Sequence, residues 1–225
     1  MIYLPFIVKV CYNIGMDKNE LKFFLIDGKY YGGDQNWSNH KWMKLGGCST
    51  VSFCEACICL AGTFRKLRGL YPYDPIHVKK QEFMDYFKMV FQYVYPGIGG
   101  LSSIERFKRM AQSFVDTRDI NVGFNCLSGS AAYEDAESFI VGHIDQGYPV
   151  MYLMLKHKDR AFEDYEWHWF TVTGYERAYN GLRVEFATWG EKHSFMLENA
   201  WDTRKTMKGG LVAMTLPENE QRVRE

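Results

Sequence analysis

From Cys48 to about Ala61 the chain is almost uninterruptedly apolar, and Gly62 follows as a stop signal. A helix that is apolar all round has no face to give to water, so it must be enclosed on every side by the rest of the fold. The chain can supply that surface: 47% of its 225 residues are hydrophobic and 16% aromatic, enough for one well-packed domain over residues 1–225.

The segments on either side say what does the enclosing. Up to about Trp37 the hydrophobic period is nearer two, with strands predicted over Tyr3 to Val10 and Leu21 to Ile26. Asp27-Gly28 then turns the chain into Lys29-Tyr30-Tyr31 as a hairpin. After the buried helix, Phe83, Phe87, Val90, Phe91 and Val94 form one helical stripe, and Ile104, Phe107, Ala111, Phe114 and Val115 form another. Ser102 and Glu105 are spaced as a capping box for the second of these helices. A further helix runs from about Glu134 to Gln146 and ends at Gly147. The last third predicts strands over Tyr148 to Leu155, Trp167 to Tyr175, Leu182 to Trp189, His193 to Leu197 and Leu211 to Leu216, with connections short enough to make neighbours antiparallel. The expected fold class is α+β, a buried helix packed face to face on an antiparallel sheet, with a helical elaboration at about 63–130.

Charge narrows the function. Lys+Arg and Asp+Glu both number 27, so no whole-molecule field exists to hold a polyanion, and nucleic acid is not an expected partner. No stretch reaches the ~20 uncharged apolar residues of a membrane span, so no membrane insertion is expected. The apolar N-terminus has no basic segment before it, and four of the six cysteines (Cys48, Cys54, Cys57, Cys59) crowd into one helix where bridging is awkward. Reduced thiols and a cytoplasmic location are the expectation. Cys54 and Cys57 are spaced as Cys-x-x-Cys but sit inside a helix without a second ligand pair, so neither a metal nor another cofactor is expected. The charged run from Lys156 to Glu166 reads as a solvated loop placed to rim a cleft.

Two segments carry chemistry. Gly46-Gly47-Cys48-Ser49-Thr50 reads as a flexible turn that delivers a cysteine to the first position of the buried helix, where free N–H groups and the helix dipole favour thiolate. Gly47 would let a substrate backbone come close. Far along the chain, Trp167-His168-Trp169 opens a strand, and a histidine brought across to the cysteine is what thiol activation needs.

With Gln35, Gly47-Cys48, His168 and the downstream Gly174-Tyr175, the chain resembles the papain-like cysteine peptidases, and within them the C39-like group. Gln146-Gly147-Tyr148-Pro149-Val150 is similar to the segment preceding the histidine strand in that group, and Thr188-Trp189-Gly190 to the Trp-Gly that follows the third catalytic position. These motifs span roughly residues 30–62 and 145–192. The resemblance implies a papain-like fold, Cys48 as nucleophile, His168 as general base and then acid, and Gln35 as an oxyanion donor beside the Cys48 N–H.

Three departures go with it. Gln35 precedes Cys48 by a wider gap than the family shows, and Ser49 and Thr50 stand where Gly and often Pro are usual. Ala187 falls where the family carries Asn or Asp to orient the histidine. That leaves Thr188, pointing to the sheet face opposite Ala187, or Glu185, two residues back on the same face, as stand-ins. Trp37, Trp42, Trp167 and Trp169 flank these residues, and with Gly47 the first, third and fourth are the expected cleft lining. The implied activity is a thiol hydrolase acting on a peptide or amide substrate. The alternatives are a catalytically inactive binding protein of the same fold, favoured by Ala187, and an acyltransferase passing a Cys48 thioester to an amine.

Overall fold

The apolar run is a helix, and the fold is arranged to hide it. The computed structural model describes residues 17–97 and 99–217, so the expected strand over Tyr3 to Val10 lies outside the described residues. In chain order the elements are β1 (Lys18–Glu20), β2 (Leu25–Ile26), β3 (Tyr30–Tyr31), α1 (Lys41–Gly46), α2 (Cys48–Thr63), α3 (Lys80–Phe91), α4 (Ile104–Asp116), β4 (Gly123–Ser128), α5 (Tyr133–Asp145), β5 (Val150–Met154), β6 (His168–Ala178), β7 (Gly181–Thr188), β8 (Glu191–Met196), α6 (Leu197–Trp201) and β9 (Gly209–Thr215). Short 3-10 turns sit at Gln35–Trp37, Arg65–Leu70 and Arg160–Tyr165.

The mixed α and β architecture centres on one antiparallel sheet of order β4-β9-β5-β6-β7-β8, with β1 added beside β6. Strand β6 is the axis. One edge pairs with β5 over His168–Val172 and with β1 over Gly174–Glu176, and the other edge pairs with β7. The register shifts between Val172 and Gly174, leaving Thr173 as an extra residue. The β2-β3 hairpin turns at Asp27 and Gly28, both at positive φ, as that dipeptide favours.

Helices cover both faces of this sheet rather than the single face expected. On one side, α2, α3 and α4 share a core with Met151, Leu153, Trp169, Val212 and Met214. On the other, α5 and α6 pack with Val150, Tyr152, Phe170, Val172, Val184 and Phe186. The alternation along β5 and β6 assigns successive residues to opposite cores, as a period of two demands. Helix α2 is buried from Cys48 through Ala61 and runs two residues further than expected, so Gly62 lies inside its last turn.

Two other expectations shift. Ser103, not Ser102, caps α4 by accepting from the Arg106 N–H at 3.2 Å. The segment at 63–130 is not helical throughout, because Gly123–Ser128 joins the sheet beside β9. Among the described residues no helix is long and apolar enough to cross a membrane.

Candidate active site

The joint that delivers Cys48 is rigid. Gly47 follows α1 directly, its N–H donating to the Met43 carbonyl at 2.9 Å while its own carbonyl accepts from Val51 at 2.8 Å. A Cβ on Gly47 would run into the Met43 carbonyl and the Phe87 ring. The glycine is therefore needed for helix-to-helix packing, not for close approach of a substrate, and the expected flexible turn is a tight elbow. Its effect is to start a long helix at Cys48, with free N–H groups around the sulfur.

That sulfur lines a narrow pocket together with Gln35, Glu55, His168, Thr188 and Trp189. Burial pushes the Cys48 thiol up from its ordinary pKa, and the backbone N–H groups of Trp169 and Ser49 offset this only in part. Gln35 sits in the 3-10 turn capped by Asp34, whose carboxylate accepts from the Asn36 N–H at 2.8 Å. The Gln35 carboxamide donates to the Lys44 carbonyl at 2.9 Å, which ties it to α1 just ahead of Cys48. The wide sequence gap between Gln35 and Cys48 is taken up by α1.

His168 opens β6 on the face away from α2, in line with Phe170 and Val172. Its Nε2 lies 2.7 Å from the Thr188 hydroxyl. The Trp189 ring stacks on the imidazole at 4.8 Å between centroids, and Tyr165 stacks on Trp189 at 5.5 Å. Burial, and then His193, hold the imidazole down at about 4, so it is neutral at pH 7. Thiol and imidazole thus share one pocket while each keeps its own first partner: the Trp169 N–H for sulfur, the Thr188 hydroxyl for nitrogen.

Of the two stand-ins for the orienting residue, Thr188 is the one that meets the histidine. No bulge between Ala187 and Thr188 is needed, because His168 is itself on the Thr188 face. Glu185 is engaged elsewhere, 3.3 Å from Lys18 and 2.8 Å from Lys192. Burial raises its pKa, but the two lysines outweigh that and leave it below the usual range. Ala187 is fully buried and lies against Gly32.

The tryptophans expected around the cleft divide. Trp169 is core, stacked on Phe107 at 4.4 Å with its indole N–H on the Leu101 carbonyl at 2.7 Å, and it reaches the pocket's edge. Trp37 packs on Tyr30 and Phe83, Trp42 is 60% exposed, and Trp167 is exposed beneath Lys156. None of these three lines the pocket, nor does Gly47. The indoles that do are Trp169, as expected, and Trp189.

Two non-glycine residues with positive φ frame the histidine: Trp167 at 58° and Trp189 at 53°. Bulky side chains seldom adopt this conformation, which costs of order 1 kcal/mol or more per residue and collects at functional sites. Part of the charged run after Lys156 is not loop but the Arg160–Tyr165 turn, whose Tyr165 backs Trp189.

Sequence reasoning missed Glu55. It is buried in α2 on the pocket's floor, its pKa raised to about 8 by burial against the smaller pull of Thr171 and the Gly33 N–H. The signal was present, since Glu55 is the one charged residue in the apolar run that dictates the fold. The other cysteines of α2 are free, buried thiols pushed strongly upward by desolvation, and among the described residues no cluster of three or more His, Cys, Asp or Glu is arranged to hold a metal. No protein-family model matches the sequence, and no curated protein matches it.

Proposed function

We propose that this chain is a papain-like thiol acyl hydrolase that acts on a peptide or amide bond with Cys48 as nucleophile. The observation that carries the reading is the shared pocket at the start of α2. There a helix-opening cysteine, a histidine whose Nε2 is engaged by Thr188, and a carboxamide donor converge.

With Nε2–H donating to the Thr188 hydroxyl, Nδ1 is the nitrogen left to act as base. Both groups are neutral at rest, so the thiol proton moves to His168 as sulfur attacks the carbonyl carbon. The second N–H of the Gln35 carboxamide and the backbone N–H of Cys48 are the donors for the oxyanion. The amine leaves with the proton from His168, giving a thioester on Cys48. Water, deprotonated by His168, then cleaves the thioester and restores the thiol.

p-Nitrophenyl acetate tests this with a generic acyl donor. The expected result is a burst of p-nitrophenol with one acetyl group mapped by mass spectrometry to Cys48, absent in Cys48→Ala and at least about 100-fold slower in His168→Ala. Acetylation that ignores His168, or that falls on another residue, overturns the hydrolase reading. A second reading, binding without turnover, draws on the uncharged resting pair and on Ala187 at the family's orienting position. It gives no burst. A thioester that persists until an added amine removes it marks acyl transfer instead.

A further inference from the structure

A buried carboxyl with no cation paired to it among the described residues needs a reason to be there. Glu55 Oε1 accepts the Gly33 N–H at 2.8 Å, and Oε2 lies 2.5 Å from the Thr171 hydroxyl, which is in turn 2.9 Å from the Ser52 hydroxyl. Gly32, at φ 80°, carries the chain over this carboxyl so closely that a Cβ there would collide with Oε1. The same loop holds the far side of the site, since the Gly33 carbonyl accepts from the Gly190 N–H at 2.9 Å and the Tyr31 N–H donates to the Gly190 carbonyl at 2.9 Å. One side chain thus links the Cys48 helix, the loop leading to Gln35 and the turn that bears Trp189.

We infer that Glu55 is a positioning residue, a neutral carboxylic acid that clips the Gly32–Gln35 loop onto α2 and β6 and so sets Gln35 beside Cys48. Its value to catalysis rests on the hydrolase reading above; the clip itself does not. The groups facing Glu55 are consistent with a bound proton. Its own helix offers the thiols Cys54 and Cys59, the loop offers an N–H, β6 offers a hydroxyl and β7 offers the Ala187 methyl. The lysines near the site, Lys18 and Lys192, are paired with Glu185. The Thr171 hydroxyl donates to Oε2 when the carboxyl is ionised. With the proton bound the bond reverses, Oε2–H donating to the hydroxyl and the hydroxyl turning to the Ser52 carbonyl at 3.4 Å, an arrangement that a glutamine amide reproduces.

The sign of the pH effect follows. A carboxyl ionising at its ordinary 4.5 when unfolded but near 8 when folded binds more protons in the folded state between those limits, so the contribution of Glu55 to stability falls as pH rises through that window. Glu55→Gln has no such proton to lose. Its Tm is therefore expected to exceed that of the wild type at pH 8, with the gap closing toward pH 4.5. Hydrogen exchange in peptides spanning Gly32 to Trp37 should stay within about twofold of wild type in Glu55→Gln and rise at least about tenfold in Glu55→Ala, with β9 unchanged.

A Tm for Glu55→Gln below wild type at pH 8 would mean a charged, paired carboxylate and would overturn the proposal, as would unaltered loop exchange in Glu55→Ala. Should Glu55→Ala fail to fold, Thr171→Val takes its place, with the same increase in exchange expected. Cys48 acetylation separates the two readings: absent even in wild type, it removes the hydrolase but leaves the clip, whereas rates kept in Glu55→Gln and lost in Glu55→Ala tie the clip to the chemistry.

Discussion

The two faces of the sheet are buried to the same degree but built from different materials. The α2 face carries a polar seam through its core: Ser52, Glu55, Thr171 and Thr173, the last bonded to the Tyr31 hydroxyl at 2.9 Å. The α5 and α6 face is aromatic, with Phe170, Phe186, Phe195 and Tyr152 in mutual contact. Cys48 belongs to the first face and His168 to the second. Residues assigned to opposite faces of one strand meet only where that strand begins, and the pocket lies at the start of β6, between Trp167 and Trp189 at positive φ. A site of this kind depends on how the strand ends are held rather than on either core alone.

The largest effects should come from the cores, and they should be separable. Phe53 packs edge-on against Phe107 and Phe114 on the α2 side, while Ile140 is fully buried on the inner face of α5 on the other. Phe53→Ala is expected to cost about 3–5 kcal/mol and Ile140→Ala about 2–5 kcal/mol by urea unfolding. With the sheet between them, the double variant should equal the sum to within about 0.5 kcal/mol. A larger coupling would mean that the two faces do not respond as independent cores.

His168 sharpens the comparison through pH. Its imidazole is held near 4 when folded, against an ordinary 6.5, so the unfolded chain binds the extra proton between those limits and the contribution of His168 to stability rises as pH climbs from 4 to 6.5, opposite in sign to that of Glu55. His168→Gln should remove that contribution, so that wild type and variant diverge by about 3 kcal/mol across the window, by the free energy of one pKa unit. Urea midpoints at pH 4.5, 5.5 and 6.5 measure it. An unchanged slope would show that the folded ring takes up its proton as the unfolded one does, contrary to its burial among aromatic rings.

Thr188 comes next in size. Thr188→Val keeps the shape and removes the hydroxyl on Nε2, which should cost about 1–3 kcal/mol for an imidazole N–H left unpaired. Cys48 acetylation should slow about tenfold through loss of the orienting bond, and Thr188→Ser should restore both. If Val and Ser behave alike, the contact at 2.7 Å is packing and not orientation.

Much of this frame was legible because it rests on periodicity. The all-round apolar run fixed α2 as a buried helix, the stripes through Phe83 and Phe107 located α3 and α4, and period-two runs located the strands from β5 to β9. What escaped detection depends on contacts distant in sequence. Strand β4 is recognisable only through its pairing with β9, and β1, which ends just before the strand expected from Leu21, only through β6. The orienting residue was assessed from the parity of β7 alone, which separates Thr188 from Ala187 correctly but cannot say which face His168 takes. Cys48, His168 and Trp169 could be brought to one pocket from local context, whereas the rest of its lining could not. Trp37, Trp167 and Trp169 are near the pair in sequence, yet the ring that reaches the imidazole, Trp189, follows a turn whose positive φ gives no sign in residue identity.

The smallest expected effect discriminates most sharply between the two stand-ins for the orienting residue. Glu185 is held by Lys18 and Lys192 on the rim of the sheet, so Glu185→Gln removes partly exposed ion pairs worth about 1 kcal/mol or less, with the loss shrinking in salt. Its distance from the chemistry predicts no change in the rate of Cys48 acetylation or in its pH profile. A fall comparable to that of His168→Ala would move the orienting role from Thr188 to Glu185.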